Sequence, residues 1–554
     1  MLKKFLFCSL ITLFITYSNA QDLSHIKDAK AFRISGGLST GLNYMDNSNI
    51  TDAYKPFSYI VNLRLTPSVY GFSFPFSFSY SQMNRSFSQP FYRFGISPTY
   101  KWAKLNLGYR NTGFSKYTVY GQKSLGVGVE LHPGKFRFAA MVGKFHRNKS
   151  FRTINPLPID QEEYTRKGYA VKLGVGSKIN YFDLIFMQIK DDISLFSDTD
   201  TYKPEANAIV SANTKFNITK TLRFKLETAV SAMTQNMLAS DFEMQDVPSV
   251  LLRSKDFLNL NMSSSISFAG NASLDFHLRK FSTGLQYKRI EPGFRSLGTG
   301  FIRDDYESYQ INMGYHVSKF NIRAGIGLLH DNLRNTKMAQ TNRIINNVSL
   351  NYNPTKNFGI NANYTNFSTQ QAEGRLPLND TIKLYQVNKN ISLMPHWQKS
   401  GKKYVHYVSA NLTYADMVDK NEFTQNSLPV QSNTAMLQYM LTMIPLQMNL
   451  GCNASYIKNT SIQGDNIFYG PTLSIGKTLL KNKLQMHTAI TYFITEMMNN
   501  TGKMTGLNLG TAYRLSKTQK IRFQYSFMAQ SYEGNANLNN INRSRANLTY
   551  QYNF

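Results

Sequence analysis

Residues 545–554 read RANLTYQYNF, and the character of the side chains alternates along this stretch. The residues between the apolar or aromatic ones are polar or basic. Because successive side chains of a β-strand point to opposite faces, the stretch predicts a strand with one apolar and one polar face. The apolar or aromatic series is Ala546, Leu548, Tyr550, Tyr552 and Phe554.

The same period of two runs through the chain from Phe32 onward, for example over 72–80, 125–131, 136–142 and 320–328. Two architectures produce it: a soluble β-sandwich or barrel, whose apolar face meets a packed core, and a transmembrane barrel, whose apolar face meets lipid. The strands span about 10–14 residues, which is long for soluble sheets and suits a tilted membrane span. Short and long connections also alternate, so we favour the transmembrane barrel.

Counting strands with this alternation gives about 26, within a range of roughly 24–28. The predicted fold is therefore all-β: a single antiparallel up-and-down transmembrane β-barrel over residues 32–554, without a plug domain. An even number of strands puts both termini at the end with the short turns, which is the periplasmic end. Trp102 and Trp397 adjoin predicted short turns, where interfacial aromatic residues are expected.

Residues 1–20, MLKKFLFCSLITLFITYSNA, have the layout of a secretory signal peptide. Lys3 and Lys4 precede an apolar run, and Ala20 ends a cleavage site of small residues. The alternative, a membrane anchor, is less favoured because the apolar run is short for a span. Cleavage would leave residues 21–31 as a short periplasmic segment. Cys452 would then be the only cysteine, so no disulfide within the chain is predicted.

The strand at 545–554 resembles the C-terminal strand by which the assembly machinery of Gram-negative outer membranes recognises barrel proteins, whose usual last residue is Phe. This resemblance implies that Tyr550, Tyr552 and Phe554 form a C-terminal assembly signal. It also implies that the barrel-assembly machinery and outer-membrane lipids are partners of this protein, in the cell outer membrane.

A second resemblance lies between Tyr92 and Phe145, which includes YRFGISPTYKWAKLNLGYRN and YGQKSLGVGVELHPGKFRFAAMVGKF. This region resembles large outer-membrane barrels of the Bacteroidota. The resemblance concerns the style of the barrel and implies no functional residues.

Composition excludes several classes of protein. The chain has 554 residues, with 62 Lys and Arg against 33 Asp and Glu, and a formal net charge of +29. Its 38 Phe and 34 Tyr argue against disorder. No apolar run of about 20 residues follows the first 20, which argues against a helical membrane bundle. No nucleic-acid recognition motif accompanies the positive charge, and neither a metal site nor a cofactor is predicted.

A barrel of about 26 strands encloses a wide lumen, and an open hole of that width would leak. Only residues 21–31 precede the first predicted strand, which is too little for the plug domain of a TonB-dependent transporter. We therefore expect inward-folded loops, or a lipoprotein or plug partner, to close the lumen. The loop 234–257 is the candidate internal constriction, with an ordinary surface loop as the alternative.

Basic residues alternate with the apolar face near the short-turn end of several strands. Facing the lumen, they would form a positive collar that attracts anionic solutes or an acidic partner. The alternative is that they meet lipid headgroups and water. The predicted collar consists of Arg33, Lys104, Arg137, Arg223, Lys225, Arg323, Lys520 and Arg522.

Three functions are compatible with the sequence. The first is a channel or partner-gated translocation conduit, and the second is a structural barrel that scaffolds a surface, secretion or motility complex. The third is a hydrolase at the barrel rim, which would use Asp275 with His277, or His330 with Asp331. Because neither pair has a positioned nucleophile and a third orienting group, we do not expect an enzyme.

Overall fold

The computed structural model describes residues 31–47, 56–81, 93–146, 165–192, 203–241, 257–424, 430–497, 500–533 and 540–554. The predicted signal peptide, 1–20, lies outside the described residues, as does all but the last residue of the segment 21–31. In the described part of the chain, no helix is long and apolar enough to cross a membrane.

The alternating pattern produces a single sheet of 28 strand segments. The first fourteen are β1 (Phe32–Asn47), β2 (Phe57–Val69), β3 (Phe72–Ser73), β4 (Phe76–Ser81), β5 (Arg93–Ile96), β6 (Thr99–Tyr100), β7 (Ala103–Arg110), β8 (Ser124–Leu131), β9 (Phe136–His146), β10 (Thr165–Gly176), β11 (Tyr181–Asp191), β12 (Ala206–Asn217), β13 (Leu222–Thr234) and β14 (Ser264–His277).

The other fourteen are β15 (Phe281–Ile290), β16 (Tyr306–Val317), β17 (Phe320–Asp331), β18 (Ala339–Tyr352), β19 (Phe358–Glu373), β20 (Tyr385–Ser400), β21 (Tyr404–Asp419), β22 (Val430–Met443), β23 (Met448–Ser461), β24 (Gly464–Leu479), β25 (Leu484–Met497), β26 (Asn500–Arg514), β27 (Gln519–Tyr532) and β28 (Ile541–Asn553). A turn of 3-10 helix, Asp380–Ile382, lies between β19 and β20.

The sheet closes on itself because β28 pairs antiparallel with β1. The closing ladder runs from Gly37 opposite Asn553 to Asn47 opposite Arg543. Gly36 and Phe554 extend it: the Gly36 N–H donates to the Phe554 oxygen at 2.8 Å, and the reverse bond is 3.1 Å long. Closure removes the free sheet edges, whose unpaired backbone groups lipid cannot satisfy.

Two strands of the barrel are interrupted at a proline. Segments β3 and β4 keep one register against β2 on either side of Pro75, and β5 and β6 keep one register against β7 on either side of Pro98. Proline has no N–H, so it removes a ladder bond without ending the strand. When each interrupted pair is counted once, the sheet is the closed antiparallel barrel of 26 strands that the alternation predicts.

The apolar series of each strand faces outward. Side chains on many different strands are more than half exposed, a surface that a soluble protein would bury and that lipid covers in a transmembrane barrel. The soluble sandwich or barrel is thereby excluded. Examples from around the barrel are Leu42, Val142, Val210, Ile326, Leu473 and Ile490.

Aromatic rings form girdles at both ends of this apolar band, as interfacial Tyr and Trp do in outer-membrane barrels. At the long-loop end, the rings of Tyr287 and Tyr309 lie 5.1 Å apart. At the short-turn end, the rings of Tyr315 and Phe320 lie 6.5 Å apart. The two girdles mark where the barrel enters and leaves the membrane.

Candidate functional site

The lumen is the candidate functional site, and it is filled on one side only. Strands tilted by about 40° and spaced about 4.8 Å apart would give a circular barrel of this strand number a width of about 50 Å. The buried hydrophobic cluster extends from Phe114 to Tyr306, and no residue of β17–β28 belongs to it in the described part of the chain. We call β7–β16 the filled half, and β17–β28 with β1 and β2 the open half.

Two loops from the long-loop end fold into the filled half and meet there. Inner loop A is residues 111–123, between β7 and β8, and inner loop B is residues 291–305, between β15 and β16. The Ser296 hydroxyl donates to the Thr118 carbonyl oxygen at 2.7 Å. The ring of Tyr117 meets the ring of Phe294 edge-on at 5.7 Å. The loops therefore form one packed unit although they are far apart in sequence.

Inner loop A is bound to the inner face of the wall. The Lys116 backbone N–H donates to Glu227 Oε1 at 2.6 Å, and the hydroxyls of Ser115 and Ser211 lie 3.4 Å apart. Glu227 and Ser211 belong to the inward series of β13 and β12, so the loop lies inside the barrel. Burial, and then the negative charge of Glu227, raise the pKa of Tyr117, whose hydroxyl stays protonated at neutral pH.

Inner loop B is bound to the same wall by neighbouring inward residues. The Leu297 N–H donates to Asn207 Oδ1 at 3.2 Å, and the Ser231 hydroxyl donates to the Arg295 carbonyl oxygen at 2.8 Å. The Arg295 guanidinium also forms an ion pair of 2.8 Å with Glu205. Because backbone and side-chain groups of the loop are satisfied by the wall, the insertion does not leave buried polar groups unpaired at these positions.

An apolar bed under the loops explains why they enter the barrel. Ile185, Met187 and Ile189 of β11 face inward and are almost fully buried. The outward residues of the same strand include Phe182 and Leu184, so β11 is apolar on both faces. Sequence reasoning missed this site, and the double-faced apolar run of β11 was the signal that could have found it.

A cavity of about 320 Å³ lies between inner loop A and the wall of β11–β14. Its lining combines charged and amide side chains with tyrosine rings, so it could hold a polar solute passing the loops. Residues around it include Lys116, Tyr120, Tyr181, Asn213, Lys225 and Asn271.

Strand parity places all eight predicted collar residues on the inner face, near the short-turn end. Four of them are engaged in the filled half. Lys104 pairs with Glu130 at 2.8 Å, Arg137 with Asp183 at 2.7 Å, and Lys225 with Asp275 at 2.6 Å. Arg223 Nε donates to Asn217 Oδ1 at 3.0 Å. On this side, acidic partners offset most of the positive charge.

The remaining collar residues are Arg33, Arg323, Lys520 and Arg522. None of them forms an ion pair with another described residue, and all but Lys520 are exposed. The structure therefore divides the predicted collar into a neutralised part and an uncompensated part.

The predicted aromatic positions lie at the short-turn end. Trp102 is in the turn between β6 and β7, and Trp397 faces outward near the end of β20. Tyr550, Tyr552 and Phe554 face outward at the end of β28, where the rings of Tyr552 and Phe554 lie 5.2 Å apart. This placement is compatible with an interfacial role and with an assembly signal, both of which stay predictions.

The predicted constriction 234–257 falls largely outside the described residues, which omit 242–256. Residues 234–241 and 257 of this segment are described, and Phe257 lies on the outer side of the wall, where its ring stacks on the outward ring of Phe186 at 5.7 Å. The Phe257 carbonyl oxygen accepts a hydrogen bond from Gln188, which also faces outward. Among the described residues, inner loops A and B are the loops that fold into the lumen, and the constriction at 234–257 stays a prediction.

The histidine–acid pairs considered for a hydrolase are not assembled as catalytic groups. Asp275 binds Lys225, as described above. His330 and Asp331 point to opposite faces of β17, and His330 Nε2 lies 3.3 Å from Glu307 Oε2 on the outer face. Among the described residues, no group of three or more His, Cys, Asp and Glu could hold a metal ion.

Among the comparisons with known proteins, only the one with solved structures gives matches. No family model and no curated protein matches the chain. OccAB2 of Acinetobacter baumannii is similar at 11% identity and a TM-score of 0.32, over 70% of this chain and 98% of that one. The FrpB iron transporter of Neisseria meningitidis is similar at 11% identity and a TM-score of 0.39, over 97% and 83% of the two chains.

OprD of Pseudomonas aeruginosa is similar at 10% identity and a TM-score of 0.30, over 70% of this chain and 94% of that one. Similarities at these identities and TM-scores give no information about solute or mechanism. The resemblance to barrels of the Bacteroidota stays a prediction. The geometry of the chain itself, a closed sheet with an apolar outer band between two aromatic girdles, is that of an outer-membrane β-barrel protein.

Proposed function

We propose that this protein is an outer-membrane channel in which inner loops A and B narrow one side of the lumen. The supporting observation is that the two loops bind each other and the inward series of β12 and β13. Loops anchored in this way set the size of the passage, because their backbone is held by hydrogen bonds to the wall. Polar groups of the open half provide a wet path beside them.

The test is single-channel conductance in planar bilayers. A variant in which residues 113–121 are replaced by a short Gly-Ser linker should conduct several times better than the native protein. The matched control shortens 375–383, a loop of the open half at the same end of the barrel. If neither the native protein nor the loop variant conducts, the channel is contradicted. If both loop variants conduct equally, the assignment of the constriction fails.

A partner-gated conduit is the second candidate, and the open half favours it. At the long-loop end, the connection between β23 and β24 is only Ile462 and Gln463, so it cannot reach over the lumen. Two loops on one side do not span a lumen of about 50 Å. We propose that a lipoprotein or plug partner occupies the remaining width.

Purification in gentle detergent, followed by mass spectrometry, tests this second candidate. A stoichiometric partner that crosslinks to a photoreactive residue placed at Asn411, on the inner face of β21, would support it. The control places the probe at Leu412, which faces lipid. A barrel that purifies alone and gives no crosslink at Asn411 in cells would contradict it.

A further inference from the structure

The wall around the closing seam of the barrel carries an uncompensated set of basic side chains. Strands β26, β27, β28, β1 and β2 contain a single acidic residue in the described chain, Asp46, which belongs to the outward series of β1. The inward basic residues near the short-turn end of these strands are Arg33, Arg64, Arg514, Lys520 and Arg522.

Their positions form a trough. Its floor is the inner face of β28 and β1, where Gly37, Ser39 and Gly41 leave little side chain above the backbone. The floor residues of β28 opposite them are Asn553, Gln551 and Thr549. Lys520 and Arg522 of β27 form one bank, since they pair with Gln551 and Thr549. Arg64 of β2, which pairs with Gly37, forms the other bank.

The dimensions and chemistry of this trough suit anions. The two banks are three strand spacings apart, about 14 Å, so long basic side chains can reach over the floor from both sides. Four of the five basic residues are arginines, whose planar guanidinium groups bind carboxylate and phosphate oxygens in pairs. All four arginines are exposed, and no ion pair within the described residues involves any of the five.

Strand parity excludes the alternative that these residues serve the membrane. A cation near a strand end can contact lipid headgroups only if it faces outward, and these side chains alternate with the outward Leu38, Leu63 and Phe523. Two further inward arginines, Arg543 and Arg545, extend the positive charge along β28 toward the long-loop end. The charges of all these inward residues lie inside a wall of low dielectric constant, which strengthens the electrostatic field in the lumen.

We propose that this basic trough is an anion-binding track, which recognises carboxylate or phosphate groups of solutes in the lumen. The substrate class it selects is a solute that carries several such groups. As a statement about transport the inference rests on the proposed channel, whereas as a statement about binding it stands on the trough alone.

The experiment compares the native protein with a trough variant, Arg64→Gln, Lys520→Gln and Arg522→Gln. The matched control is Lys178→Gln, Lys399→Gln and Lys477→Gln. It makes the same change in net charge at the same end of the barrel, but its residues lie in a turn or on the outer face. Heat-modifiable migration in electrophoresis verifies that each variant is folded. If the triple variant does not fold, Arg64→Gln and Arg522→Gln are tested singly.

Binding in detergent is measured by calorimetry with citrate and with tripolyphosphate, and maltotriose serves as the neutral probe. We expect the trough variant to bind both anions about tenfold more weakly at low salt, and binding to the native protein to weaken steeply with salt. Stronger binding of citrate indicates that the track prefers carboxylate groups, and stronger binding of tripolyphosphate indicates that it prefers phosphate groups. Equal binding by the trough and control variants, or no anion binding by the native protein, overturns the inference.

Salt-gradient potentials in planar bilayers separate this inference from the proposed channel. If the native protein conducts with a preference for anions that only the trough variant loses, both stand. If it conducts but the trough variant keeps the preference, the track is wrong and the channel remains. If the native protein binds anions without conducting, and the trough variant does not bind them, the channel is wrong and the track remains.

Discussion

The filled half and the open half of the barrel have the same outer faces and different inner faces. On the outside, both present apolar side chains between aromatic girdles, because both meet lipid. On the inside, β11 of the filled half is apolar and buried, whereas inward positions of the open half are dominated by amides, hydroxyls and glycines. The composition of an inner face therefore depends on whether that face contacts protein or water.

Charge follows the same division. In the filled half, three of the four collar residues have acidic partners on neighbouring strands, as in the pair of Arg137 with Asp183. A cation that is covered by protein needs such a partner because desolvation disfavours an isolated charge. Around the closing seam, Arg64 and Arg522 stay in contact with solvent and need none. The open lumen leaves these two guanidinium groups hydrated, so their charges persist there without acidic partners.

The largest effect is expected from Asp183→Ala in the filled half. Asp183 accepts two hydrogen bonds from Arg137, of 2.7 and 2.9 Å, and its side chain is only 3% exposed. The change leaves a covered guanidinium without its partner, which should cost about 3–5 kcal/mol of unfolding free energy. Urea unfolding in detergent measures it. Asp465→Ala is the control for an exposed ion pair, because Asp465 pairs with Lys458 on the outer face of the open half, and an equal loss there would show that burial does not set the cost.

A smaller effect is expected from Phe294→Ala in inner loop B. Phe294 is 0% exposed and packs edge-on against Tyr117, so the change creates a cavity between the two inner loops. It should cost about 3 kcal/mol of local packing and raise conductance noise while the barrel stays assembled. Phe301→Ala is the control, because Phe301 of the same loop is 87% exposed. Quiet channels in the Phe294 variant would contradict the role of the loops.

A further test uses the close approach of strands in the filled half. A Cβ at Gly126 would lie 2.6 Å from the Gly143 Cα and closer still to the Val142 carbonyl oxygen. Gly126→Ala should therefore cost about 1–3 kcal/mol through displaced strands. At Gly510 of the open half, the nearest atom to an added Cβ is 3.9 Å away, so Gly510→Ala should be neutral. Heat-modifiable migration at rising temperature compares them. Gly126 belongs to a row of inward glycines that pair with one another across successive strands, which allows the close approach. The row consists of Gly95, Gly108, Gly126, Gly143 and Gly168.

Much of the fold could be predicted because lipid imposes a local rule. Phe136 and Phe138 must face outward and Arg137 inward whatever the rest of the chain does, so alternation alone yields strands, parity and the count of 26. The inward direction of the collar residues followed from the same rule. Their ion pairs did not, since whether Lys225 meets Asp275 depends on the register between two strands.

The alternating sequence by itself determined the barrel, its closure and the side of each residue, because a period of two is a property of neighbouring residues in lipid. Only the tertiary structure decided which loops enter the lumen and which cations remain uncompensated. The hydrogen bond between Ser296 and Thr118 joins residues 178 positions apart, and no periodicity encodes such a contact. The trough likewise exists only because β28 returns to β1, which brings Arg522 and Arg64 to either side of one floor.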